Sequence, residues 1–134
     1  MNIKEQHTQA KATRHRIWLH SQYLTILNEQ QTTLYAASRE TREQTETRIS
    51  ATKACLEAEA LRLLEQTNEL IQSIEDIENP RLQEILTRRY LNNQPFAAIA
   101  EDMNYDLRWV YRLHHQGLML SEFKRPPIFD KTLQ

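Results

Sequence analysis

The chain has 134 residues, a formal net charge of −1, one glycine, four prolines and a single cysteine. That length allows one domain with an extension or two small helical units, and lone Cys55 excludes an internal disulfide. With one glycine there is little material for β-hairpins or for a Gly-rich phosphate loop, so an all-α fold is expected.

In chain order, residues 1–12 are polar and read as a flexible, frayed N-terminus. From about Thr13 to Ser38, Ile17, His20, Leu24, Leu27, Gln31 and Leu34 recur at steps of three and four, with Trp18, Leu19 and Tyr23 widening the apolar stripe. Residues 38–48 are very polar and fit either a loop or a solvated helical stretch. From about Thr45 to Glu78, Ile49, Leu56, Ala60, Leu63, Thr67, Leu70, Ile74 and Ile77 trace a seven-residue repeat, with Leu64 and Ile71 beside it and Lys53 and Thr67 as polar interruptions. Residues 13–79 therefore read as a helical hairpin, a coiled-coil-like arm ended by Asn79-Pro80. Two helices alone make a thin core, which favours a homodimer held by this arm over a self-sufficient hairpin. Cys55 reads as a small buried hydrophobe.

Residues 80–124 follow as a second unit, with 125–134 as a C-terminal tail. Leu82, Ile85, Leu86 and Tyr90 give a helix with one apolar face. Asn92-Asn93-Gln94-Pro95 breaks it, because Pro cannot continue the hydrogen-bond ladder and pushes Gln94 out of helical geometry. Phe96–Met103 is long enough for two turns. Asn104-Tyr105 offers a tight turn, since Asn tolerates the left-handed backbone, and Asp106 is a good N-cap for the helix after it. Val110, Leu113, Gly117 and Leu118 form the inward face of that helix. Two short helices joined by such a turn are the basis of a helix-turn-helix, whose second helix lies in the DNA major groove.

The face away from Val110 and Leu113 carries Leu107, Arg108, Tyr111, Arg112 and His115, the predicted DNA-binding residues. Arg108 and Arg112 are four apart and project from one side. An arginine there can bind guanine O6 and N7 bidentately or clamp a phosphate. Arg88, Arg89, Gln94, Lys124 and Arg125 are candidate phosphate contacts.

The same segment resembles region four of bacterial sigma factors. The residues that carry the likeness are Leu86–Leu91, then Ile99-Ala100 with Met103, then Val110, Leu113 and Gly117-Leu118. It is more closely similar to short bacteriophage proteins that include the RinA-type and ArpU-type late transcription regulators. Arg89-Tyr90-Leu91, Ile99-Ala100, Met103-Asn104-Tyr105 and Val110-Tyr111-Arg112-Leu113-His114 stand in register with their C-terminal signature. The resemblance covers about a third of the chain well. It implies a phage or prophage regulator that binds double-stranded DNA through a sigma region-four-like helix-turn-helix. It also names bacterial RNA polymerase as a second candidate partner. Four features depart from the pattern: Pro95-Phe96 opens the short helix, Asp106 stands at a cap that is often Ser or Thr, and Leu107 replaces a common charged contact. The fourth, Gly117 in place of the usual Ala, costs roughly 1 kcal/mol of helix propensity.

Enzymatic chemistry finds no support in the sequence. His114 and His115 are adjacent and point to different faces of a helix, so they do not form the i,i+4 pair that holds a metal; His114 is expected to pack against a neighbouring helix. No cofactor or metal is expected. The charge is unevenly placed, with eight basic against six acidic residues in 80–134 and nine against twelve in 1–79. So small an excess predicts weak DNA binding from one copy, which a dimer or tethering to a second DNA-bound protein would compensate. With no apolar run near the ~20 residues that span a bilayer and no visible signal peptide, the expectation is a cytoplasmic protein of a bacterial host cell.

Overall fold

A computed structural model describes residues 1–122, and all its regular structure is helical: α1 (Ile3–Glu29), α2 (Gln31–Ala36), α3 (Arg39–Glu75), α4 (Pro80–Leu86), α5 (Phe96–Met103) and α6 (Leu107–Glu122), with no strand among these residues. None of the described helices is long and apolar enough to cross a membrane.

The helix starts follow from local capping. Asn2 Oδ1 accepts from the Glu5 amide at 2.9 Å while its Nδ2 donates to Glu5 Oε1 at 3.2 Å, a reciprocal arrangement that opens α1. Ser38 Oγ accepts from the Thr41 amide at 3.3 Å ahead of α3. The polar stretch 38–48, open between loop and helix in the sequence, is thus helical from Arg39. Asn79 Oδ1 accepts from the amides of Arg81 and Leu82, and Pro80 stands in the first turn of α4, where a missing N–H costs nothing.

Residues 1–8 with 68–122 form one compact unit, and residues 9–67 form another. This corrects two expectations. The N-terminal residues are not frayed: α1 begins at Ile3, and Ile3 is fully buried in a cluster with Leu70, Ile74, Ile77, Leu82, Ile85, Leu86, Tyr90, Ile99, Val110 and Leu113. The boundary expected at 79 lies at 67/68 instead, because the last turns of α3 (Leu70, Ile74) and the following Ile77 bury their apolar stripe in this cluster rather than in the arm. One continuous helix therefore carries a seven-residue repeat that serves two cores in succession.

In the unit of residues 9–67, α1 and α3 run antiparallel. Thr13 Oγ1 donates to Gln66 Oε1 at 2.7 Å, and Arg16 Nε to Glu59 Oε2 at 3.3 Å. The interior is thin. Among its described residues Ala10, Thr13 and Thr52 are buried, while Ile17, Leu24, Leu27, Ile49, Leu56 and Leu63 remain part-exposed. Cys55 is exposed rather than buried, since it lies off the seam marked by Thr52, Leu56, Glu59 and Leu63.

Candidate nucleic-acid interface

Three short elements position α6. α4 runs into a π-helical turn, Thr87–Leu91, in which the Asn92 amide reaches back to the Thr87 carbonyl at 3.0 Å. Asn93 then takes a left-handed backbone, φ 57°, and Pro95 precedes α5, so the break expected at 92–95 is present. α5 ends on Asn104, also left-handed at φ 55°, with the Tyr105 amide donating to the Ala100 carbonyl at 2.9 Å. That is the turn foreseen from Asn104-Tyr105. The Asp106 carbonyl accepts the Val110 amide and opens α6. α6 packs on both α4 and α5.

The phase of α6 agrees with the pattern in the sequence. Val110, Leu113 and Gly117 are buried and Leu118 is partly so, while Leu107, Arg108, Tyr111, Arg112 and His115 are all exposed. Arg108, Arg112, His115 and Met119 are spaced 4, 3 and 4 apart and make one exposed stripe. Among the described residues Arg108 and Arg112 form no ion pair, so both guanidinium groups face solvent uncommitted. Tyr111 flanks the stripe and its ring lies 4.8 Å from that of Phe96. On the opposite flank Trp109 is 40% and Leu120 50% exposed. Sequence reasoning passed over Trp109, Leu120 and Met119; continuing the helical period to the end of α6 would have found them.

The candidate phosphate contacts divide differently. Arg88 donates from Nε to Glu84 Oε2 at 2.9 Å and from Nη1 to Asp102 Oδ2 at 3.2 Å and to Gln94 Oε1 at 3.3 Å. Gln94 in turn donates to Asp102 at 2.9 Å. Arg89 donates to the Gln94 carbonyl at 3.1 Å, with its guanidinium 4.1 Å from the centre of the Phe96 ring. Arg88, Arg89 and Gln94 thus tie the π-helical turn to the start and end of α5 instead of standing free for a ligand. Two acidic side chains already neutralise Arg88. Lys124 and Arg125 lie outside the described residues.

Beneath the exposed stripe sits a polar pair. His114 is buried, and its Nε2 lies 2.7 Å from the Tyr90 hydroxyl, in hydrogen-bond contact. Burial above all, with the positive charges of Lys4, Arg89 and His115, lowers the His114 pKa to about 4, so its imidazole is neutral near neutral pH. Burial raises that of the Tyr90 hydroxyl, against the opposing charge of Arg89. His7 reaches the same place from α1, edge-on to the Tyr90 ring and 3.0 Å from Asn93 Oδ1 through its Nε2. These contacts fix α6 rotationally against the π-helical turn. His114 is a packing residue, as its sequence context implied. Among the described residues no cluster of three or more His, Cys, Asp or Glu could hold a metal ion.

Comparison of the chain with family models, with curated proteins and with solved structures found no match.

Proposed function

We propose that this chain is a sequence-specific DNA-binding transcription regulator of phage or prophage origin, in which α5 and α6 act as a sigma region-four-like helix-turn-helix. The observation that carries the reading is the exposed stripe Arg108–Arg112–His115–Met119, without an ion pair among the described residues, on a helix whose other face is locked into a core. Arginines so placed supply both guanine recognition and phosphate affinity in a major groove. Tyr111, held against Phe96, offers a phosphate hydrogen bond or an apolar contact to a thymine methyl. The resemblance to RinA-type and ArpU-type regulators supports the same conclusion. In this reading Arg88, Arg89 and Gln94 hold the turn geometry, and the base-reading work falls to α6 alone.

A second reading rests on the other flank of α6. Trp109 and Leu120, both about half exposed, make an apolar edge suited to a protein partner, and bacterial RNA polymerase is the one the sigma resemblance names.

A gel-shift assay over fragments of the source genome, with and without host RNA polymerase, tests both. DNA reading predicts a shifted fragment with protein alone. Arg108→Ala and Arg112→Ala should each weaken that complex by roughly 1–3 kcal/mol, the value of a bidentate guanine contact, without unfolding the protein. Binding of both variants at the wild-type level refutes the assigned face. A shift that needs polymerase and is lost in Trp109→Ala selects the second reading.

A further inference from the structure

Between α1 and α3 of the residue 9–67 unit runs an open groove of about 900 Å³, with His20, Tyr23 and Leu27 on one wall and Ala51, Thr52 and Cys55 on the other. We propose that this groove is the centre of an antiparallel, two-fold interface with a second copy of the chain, in which α3 of each copy packs along α3 of the other about Ala51.

The pattern along α3 is self-complementary. Glu40, Gln44, Thr47, Ala51, Cys55, Ala58 and Arg62 follow at steps of 4, 3, 4, 4, 3 and 4, and every one of them is exposed. Steps of this kind keep a stripe on one side of a helix. The order is also symmetric about Ala51. Antiparallel pairing places Gln44 opposite the partner's Ala58, Thr47 opposite the partner's Cys55, and the two Ala51 residues against each other. The ends of the stripe carry opposite charges: Glu40 of each copy meets Arg62 of the other. Among the described ion pairs neither has a partner within its own chain; the neighbouring pair is Arg39 with Glu43. An isologous contact demands this arrangement, because the same patch must complement itself.

The unit also needs a cover. Among its described residues those buried are an alanine and two threonines, and Tyr23 on the groove wall stands 48% exposed. From residue 40 to 62 the stripe is about 33 Å long; with α1 beside α3 the face is about 20 Å wide, on the order of 650 Å² per copy, near the ~800 Å² per partner of a standard interface. Small residues at its centre allow the two helices to approach closely, and Tyr23, level with Ala51 across the groove, closes over the contact.

The dimer stands whether or not α6 reads DNA, and its test uses neither DNA nor polymerase. Sedimentation equilibrium of the full chain over about 1–100 µM should give a dimer. Glu40→Arg and Arg62→Glu should each weaken it by about tenfold through two like-charge contacts. Mixing the two single variants should restore association, since every end pair in the mixed dimer is again opposite in charge, and Glu40→Arg/Arg62→Glu should self-associate like the wild type. Off the stripe, Lys53→Glu should change nothing. In a Thr47→Cys variant, mild oxidation should link the new thiol to the partner's Cys55 and give a covalent dimer. Circular dichroism establishes that each variant is folded. A monomer across the whole range overturns the proposal. So does a dimer indifferent to the single charge reversals, or one they weaken without rescue on mixing.

Discussion

Replacing Gly117 by alanine sets two effects of similar size against each other, and the structure decides the sign. In an exposed helix the change would stabilise by roughly 1 kcal/mol, the difference in helix propensity. Gly117, however, is buried where α6 meets α4, and a Cβ built there lies 3.0 Å from Leu86 Cδ1, 3.3 Å from Cγ and 3.5 Å from Cδ2. Carbon pairs rest at about 3.5–4.0 Å, so Leu86 must retreat by several tenths of an ångström. Leu86 is fully buried in one cluster with Ile85, Leu82 and Val110, so its retreat is expected to press on packed neighbours. Overpacking of this kind costs about 1–3 kcal/mol. The net expectation for Gly117→Ala is a loss of about 1 kcal/mol, and Gly117→Val should lose clearly more. In a Leu86→Ala background the obstructing atoms are gone, and the same Gly117→Ala change should stabilise by about 1 kcal/mol, a coupling of about 2 kcal/mol between the sites. Urea denaturation followed by Trp109 fluorescence in a Trp18→Phe background reads this unit separately from the arm. Gly117→Ala stabilising the otherwise unaltered chain would refute the reasoning.

Three further outcomes follow from the same cluster. Val110→Asp places an unpaired carboxylate at a fully buried position and should unfold the 68–122 unit; a folded variant by circular dichroism means the phase of α6 is misplaced. Ile3→Ala should cost about 2–5 kcal/mol in the same urea experiment, whereas a frayed segment would lose nothing. His114 has a folded pKa of about 4 against roughly 6.5 unfolded, so the neutral imidazole contributes stability that is complete above pH 6.5 and is lost as pH falls toward 4. From pH 7 to about pH 5 the loss should be about 1–2 kcal/mol, and His114→Asn should flatten that part of the pH profile; an unchanged slope in the variant contradicts the assignment.

Much of this was legible because it is local. The inward face of α6 and the left-handed Asn104 each depend on residues within a turn of one another, and the period of 3.6 or a single backbone preference suffices. The start of α1 was legible too, in the Asn2–Glu5 pair, but the polar composition around it masked the signal. What stayed hidden depends on distant partners. Ile3 is the only large apolar side chain between Asn2 and Arg16, and nothing nearby announces that Leu70 and Ile74 surround it. The repeat along α3 told that one side would be covered, not that two different cores would cover it. For Arg88 the link to Glu84 is visible as an i,i+4 pair, but the bond to Asp102 crosses a helix break and a turn, which removed Arg88 from the exposed charges on which a phosphate contact was expected.

The unit that holds α6 is discontinuous in sequence, and this sets an order on its birth. Residues 1–8 are made before 68–122 and must wait for them, a delay of about 6–23 s at about 5–20 residues per second. The hairpin of residues 9–67 is contiguous and can close during that interval. The arm therefore comes first, and its two helices can be complete before the α6 of the same chain has been made.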